Sequence, residues 1–172
     1  MNIRPLVCAL ALLIAGSGAG LANGAARAIS KSTRHLAFTA TLAPDIVTPG
    51  TKMSLAVDVK PKNGIHVYAP GTQYRPIAIA IEPNPALAVD QVVYPRPVSY
   101  LFKPLNESVL VYERPFRLTL GMTVAGTPVQ LAALTAESRL TIKGQLTYQA
   151  CDATVCYLPV SMPLEWRVTI AR

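Results

Sequence analysis

Apolar residues recur at every second position through much of this chain. Lys52 to Lys60 sets Met53, Leu55, Val57 and Val59 against Ser54, Ala56 and Asp58. Pro76 to Glu82 sets Ile77, Ile79 and Ile81 against alanines, and Val160 to Ile170 carries Met162, Leu164, Trp166, Val168 and Ile170 on one face. Runs of period two put one face of an extended strand on a core and the other in water. Further strands are expected at His35 to Leu42, Gly64 to Tyr68, Leu87 to Tyr94, Val109 to Tyr112, Phe116 to Met122, Val129 to Thr135 and Arg139 to Tyr148. Pro115, between two of these, predicts a bend or bulge. Turn clusters such as Thr48-Pro-Gly50, Pro61-Lys-Asn-Gly64 and Pro83-Asn-Pro85 punctuate the runs. Helical periodicity is scarce. Short strands at this spacing predict an all-β fold, an antiparallel β-sandwich over residues 35–172, with 25–34 as a flexible arm.

The first two dozen residues follow another rule. Arg4 precedes an apolar core, Leu6 to Ala15, and small residues follow it. That is the pattern of a secretory signal, expected to be cleaved after residue 24 or as late as about residue 28. Cys8 would leave with it. The Gly-rich run from Gly16 to Gly20 cuts the apolar stretch short of the about 20 residues a membrane anchor needs. No later segment is long and apolar enough to span a membrane, so the mature chain is expected to be soluble and exported. About 145 residues remain, one domain's worth of core. The formal net charge is +7, spread over scattered residues such as Lys60, Arg75, Lys103 and Arg114. No basic stripe suits nucleic acid; a solvated basic surface or a mildly acidic partner suits this pattern instead.

The remaining cysteines, Cys151 and Cys156, lie in Tyr148-Gln-Ala-Cys-Asp-Ala-Thr-Val-Cys-Tyr-Leu-Pro159. The flanking strands place them at a hairpin end, a surface position where thiols can be reached. In an oxidising compartment such a pair is a structural staple or a redox switch. A ring of six residues stabilises by only about 2 kcal/mol in the loop-entropy picture. A strained short ring is also easier to reduce. A third possibility is a soft ion such as Cu(I) held by Cys151, Cys156 and His66, and a fourth is a binding module with no catalysis. His66 is either a strand-surface residue without a role or a group that lowers a neighbouring thiol's pKa. Tyr68, Tyr94, Tyr100, Phe102 and Tyr112 read as core or rim aromatics, and Asn106-Glu-Ser108 matches a glycosylation sequon. No Ser-His-Asp arrangement, phosphate loop or paired-carboxylate motif is present, and no cofactor is implied.

The cysteine segment resembles the active-site segment of the N-terminal periplasmic domain of the thiol:disulfide interchange protein DsbD. Gly64-Ile-His-Val-Tyr-Ala-Pro-Gly71 is similar to an early strand of that family, and Tyr94 to Leu120 has a similar layout. The resemblance implies an immunoglobulin-like sandwich and a pair that cycles between dithiol and disulfide, an activity of the protein-disulfide reductase type. It assigns the mixed disulfide with partners to Cys156 and the resolving thiol to Cys151. It also implies a cap loop with a phenylalanine, for which Phe102 in Ser99-Tyr-Leu-Phe-Lys-Pro104 is the candidate. Tyr100, His66, Tyr68, Tyr148 and Tyr157 would surround the pair. Relatives have a longer cysteine spacing and an acidic cap; here Lys103 occupies the cap, with Glu107 further on. The chain is expected to act as a stand-alone module between a separate membrane thiol electron donor and periplasmic thioredoxin-like proteins, including those that serve cytochrome assembly.

Overall fold

The computed structural model describes residues 25–125, 127 and 139–171. The expected signal, Cys8 and the strand expected at Val129 to Thr135 lie outside the described residues.

Alternation becomes burial on the long strands. β2 (Leu36–Ala43) buries Leu36, Phe38, Ala40 and Leu42, and β4 (Lys52–Pro61) buries Met53, Leu55, Val57 and Val59. These pair with each other, and β4 pairs with β10 (Phe116–Val124). β1 (Arg27–Ser32) and β7 (Leu87–Val89) complete a five-stranded sheet in the order β1-β2-β4-β10-β7. A second sheet runs β3 (Ile46–Val47), β13 (Val160–Ile170), β11 (Arg139–Tyr148), β6 (Ala78–Ile81). Leu140, Ile142, Leu146, Leu164 and Trp166 of this sheet share one apolar core with the buried side chains of the first. The result is the all-β sandwich that the period-two runs predict. Pairing is antiparallel throughout the described strands except at the short β3–β13 edge.

A third, smaller sheet lies beside the sandwich, in the order β12 (Ala150–Cys151), β5 (His66–Tyr68), β9 (Glu107–Tyr112), β8 (Val98–Phe102). Pro115 marks the crossing from this sheet to the large one, as β9 ends at Tyr112 and β10 starts at Phe116. The rings of Tyr112 and Phe116 stack across that bend at 4.2 Å. Gly64 enters β5 with φ +73, a left-handed turn position that costs glycine nothing.

Three expectations change. Residues 25–34 do not form a free arm: β1 pairs with β2 along its whole length. Ser30 and Thr39 hydroxyls meet at 2.9 Å, and Lys31 Nζ donates to Pro163 O at 2.7 Å. Only Ile29 packs on the core, so the segment lacks an apolar period although its backbone completes a sheet edge. The strand expected over Leu87 to Tyr94 is interrupted after Val89; Asp90 N and Val93 N still donate to Gly121 O and Thr119 O. The segment around Tyr100, expected as a loop, is strand β8.

Gly144 supplies a test of the second sheet. A β-carbon there would stand 2.6 Å from Ala80 O in the backbone of β6. Gly144→Ala is therefore expected to destabilise the protein by about 1–3 kcal/mol, the usual range for overpacking. Urea unfolding would read this as a lower midpoint with an unchanged slope.

Candidate functional site

β11 and β13 pair from Arg139↔Thr169 to Tyr148↔Val160, and the cysteine segment is their open end. The connection is not a simple hairpin loop. After Tyr148 the chain leaves the second sheet, and Ala150 and Cys151 pair with Val67 and His66 of β5. Residues 152–155 then turn back. Asp152 N donates to Val155 O at 3.0 Å, while Asp152 Oδ1 accepts from Thr154 N, Thr154 Oγ1 and Val155 N at 2.7, 2.8 and 2.8 Å. Tyr157 Oη donates to Asp152 Oδ2 at 2.6 Å. These donors, the Tyr157 hydroxyl foremost, hold the Asp152 carboxyl far below the usual carboxylate range. The turn brings Cys156 back to Cys151, and the two form a disulfide.

The two sulfur-bearing residues differ in access. Cys151 is fully buried in an apolar cluster with Tyr68, Val109 and Val111, against which Tyr74 and Tyr100 pack. Cys156 is exposed. The surface position expected of the pair therefore holds for one partner only, because β12 draws Cys151 under the small sheet.

Tyr68 touches both. Its Oη stands 3.1 Å from Cys151 Sγ and 3.2 Å from Cys156 Sγ. Neither sulfur of a disulfide carries a proton, so the tyrosine hydroxyl is the donor here. Burial first, then Tyr74 and Glu107, pushes the phenol up to about 12. Tyr74 stacks flat on Tyr68, ring centroids 4.3 Å apart, and donates to Glu107 Oε2 at 2.6 Å; Gln73 Nε2 donates to the other oxygen at 2.7 Å. Glu107 is thereby tied to the ring behind the sulfurs.

His66 is not the strand-surface residue that its sequence position suggests. It is buried on β5 directly across from Cys151, its ring 4.2 Å from that of Tyr100. Burial lowers its pKa, against an opposing pull from Glu113 and Asp152. Its Nε2 has no hydrogen-bond partner. A cleft of about 300 Å³ opens beside it, lined by His66, Tyr100, Glu113, Arg114 and Ala153 among others. A larger groove of about 800 Å³ lies across β1, β2, β4 and the start of β10 and takes no residue from the cysteine segment.

The other expected residues divide. Tyr157 flanks Cys156, stacks on the buried His35 at 4.4 Å, and has the Arg34 guanidinium 5.0 Å from its ring centre. Tyr148 is buried at the end of β11, where its hydroxyl meets Thr33 Oγ1 at 2.8 Å; it supports the base of the segment rather than the sulfurs. Phe102 is buried at the end of β8, on the same face as Tyr100, and pairs with Glu107. It does not belong to the cluster around Cys151, whereas Tyr100 does. Among the described residues no three His, Cys, Asp or Glu side chains gather as a metal site requires, and the two sulfurs proposed as copper ligands are bonded to each other.

Reading the sequence missed Asp152, Tyr74, Gln149 and His35. Asp152 had a signal, since Asp followed two residues later by Thr is an Asx-turn pattern. Gln149 clamps the segment, donating to Tyr157 O at 3.1 Å and accepting from Arg75 N at 3.3 Å. Tyr74 and His35 had none, because only the fold brings them near the cysteines.

A family described as the thiol:disulfide interchange protein DsbD, N-terminal, matches residues 32–162. The chain belongs to this DsbD N-terminal family. The match runs from β1 through the cysteine segment into β13, so it covers the whole site. Among solved structures, the N-terminal periplasmic domain of ScsB from Proteus mirabilis is similar, with TM-score 0.50 and 11% identity. The likeness covers 80% of this chain and 47% of that one, so this chain spans about half of its neighbour's length. No curated protein matches the chain. No helix among the described residues is long and apolar enough to cross a membrane.

Proposed function

We propose that this DsbD N-terminal domain is a periplasmic thiol–disulfide interchange module that relays electron pairs through Cys151 and Cys156. The observation that carries this reading is the asymmetry of the disulfide: one sulfur belongs to an exposed residue, the other to a buried one, and a single protonated phenol touches both. A staple needs neither the access nor the hydrogen-bond donor.

The chemistry runs in two directions through one intermediate. In reduction, a donor dithiol's thiolate attacks Cys156 Sγ. The Cys151–Cys156 bond breaks, a donor–Cys156 bond forms, and the electron pair leaves on Cys151 as a thiolate. Tyr68 Oη donates a hydrogen bond to that buried thiolate, which has no other solvation. The donor's second thiol resolves the mixed disulfide and leaves oxidised. In the forward step, the Cys156 thiolate attacks a partner disulfide and expels one partner thiolate. Cys151 then attacks Cys156 Sγ, expels the second partner thiolate and restores the internal disulfide. Two electrons and two protons pass to the partner. Each attack needs the nucleophile as thiolate, so a donor that stabilises negative sulfur sets the fraction available.

The β8–β9 hairpin supplies the shield. Tyr100, Val109 and Val111 cover Cys151, and Phe102 closes the same face near the hairpin tip. An apolar cover limits stray oxidation of the buried thiol while Cys156 stays available for docking. Partners are then proteins that can present a cysteine pair at a surface: thioredoxin-like proteins on one side and a membrane thiol donor on the other.

The test is the reduction potential, read from the equilibrium with a glutathione or dithiothreitol series. A shuttle is expected well above about −300 mV, in the range of exchangeable pairs. A more negative value makes the pair a permanent staple and sinks this reading.

A further inference from the structure

Exposed arginines gather around the cysteine segment. Of the five described arginines elsewhere, three are matched, Arg27 to Asp45, Arg117 to Asp58 and Arg167 to Glu165, while Arg96 and Arg139 are not. The three arginines that border the cysteine segment have no ion-pair partner among the described residues. Arg34 lies over the Tyr157 ring, beside Cys156. Arg75 is anchored by its backbone N–H to Gln149, whose amide also holds Tyr157 O. Arg114 and Ala153, a residue inside the cysteine ring, line the same cleft. All three are exposed, as is Lys62, whose N–H donates to His35 O under Tyr157.

The acids nearby keep their charge and offset part of this rim, but two of the three are held by neutral donors. The Asp152 carboxylate takes its donors from Thr154, Val155 and Tyr157. Glu107 is held by Tyr74 and Gln73. Glu113 lines the same cleft as Arg114 and has no ion-pair partner among the described residues. Within the rim the surface is apolar: Val155 is 49% and Leu158 is 86% exposed, on either side of Cys156.

We propose that this face docks a protein whose reactive disulfide is set in an acidic surface with an apolar centre. The inference rests on the reading of Cys156 as the exchanging thiol and names the partner for it. The exposed Val155 and Leu158 take the ground around the partner's disulfide. Arg34, Arg75 and Arg114 take carboxylates at its edge. Complementary rims of this kind raise encounter rates by about 10–1,000-fold at low salt and lose the effect as salt screens them.

The experiment measures second-order rates of the reduced protein with synthetic disulfide probes. One cyclic disulfide peptide is flanked by aspartates, a second by lysines, and hydroxyethyl disulfide serves as the uncharged reference. At low ionic strength the aspartate probe is expected to react at least tenfold faster than the lysine probe. The gap should close as the screening length falls below about 10 Å. In the triple variant Arg34→Glu, Arg75→Glu, Arg114→Glu the ranking should invert. Dividing each rate by that for hydroxyethyl disulfide removes any change in thiol reactivity. Equal rates for the two charged probes on the unaltered protein overturn the acidic partner and leave the exchange reading intact. Failure to reduce hydroxyethyl disulfide at all overturns both.

Discussion

Cys151→Ala is expected to turn the domain into a trap, and Cys156→Ala into an inert protein. With Cys151 gone, the exposed Cys156 still attacks a partner disulfide, but nothing remains to resolve the mixed disulfide. Covalent complexes should accumulate on non-reducing gels and disappear on adding dithiothreitol. With Cys156 gone, Cys151 lies fully buried beneath Tyr68, Val109 and Val111, out of a partner's reach. Exchange should then drop to the uncatalysed background. Both variants lose the same ring closure, about 2 kcal/mol of stabilisation, and Cys151→Ala also empties a buried site, so the variant expected to be inert is the less disturbed of the two. Capture of partners through Cys151, or equal capture by the two variants, would contradict the assigned roles.

Tyr68→Phe is expected to slow exchange by about ten- to a hundredfold while leaving the fold intact. The ring and its stack on Tyr74 are kept; only the hydroxyl near both sulfurs is lost. A hydrogen bond to a charged group contributes about 1.5–3 kcal/mol, which is the source of that range. The loss falls on the thiolate, so titration of the reduced variant should show a thiol pKa above that of the unaltered protein. An unchanged thiol pKa would remove Tyr68 from the mechanism. The pH dependence of the unaltered protein follows from the same group. The fold raises the Tyr68 phenol from 10.0 to about 12, so it favours the protonated form. The stability this contributes is complete below pH 10 and is lost as pH rises through about 12. Exchange should gain with pH as thiolate forms, with no decline from Tyr68 until strongly alkaline conditions.

The long strands could be read from the chain because each has one buried and one wet face: Met53 to Val59 and Leu140 to Tyr148 alternate without interruption. The small sheet was legible only in part: β5 and β9 fall within or over the expected strands Gly64 to Tyr68 and Val109 to Tyr112, while β8 and β12 were not expected. β5 is three residues long, with His66, Val67 and Tyr68 all buried, so no buried face alternates with a wet one. β12 is shorter still, and its pairing to β5 is what buries Cys151. β8 carries an aromatic alternation, Tyr100 and Phe102, but Leu101 on its outer face is half exposed and blurs it. β1 is held by backbone pairing and hydroxyl contacts, which leave no apolar period. At the site, the cysteines, Tyr68 and Tyr157 could be singled out from the segments that carry them. Burial of His66, by contrast, disfavours its charged form, which nothing in the local sequence signals. Glu107 could be noticed but not placed, because its link to the sulfurs runs through Tyr74, which approaches only when β5 and β9 pair.

The way the cysteine segment is mounted has an evolutionary consequence. Below it, β11 and β13 are locked along ten paired positions; beside it, Cys151 is fixed by β5. Residues 152–155 are fixed chiefly by one side chain of their own, Asp152. Ring size is thus decoupled from the scaffold. A residue added to this turn is expected to leave the β11–β13 register in place, and the reduction potential of such a variant reads what ring size does to the disulfide. The interval between the cysteines is a dial that selection can turn while the rest of the domain stands still.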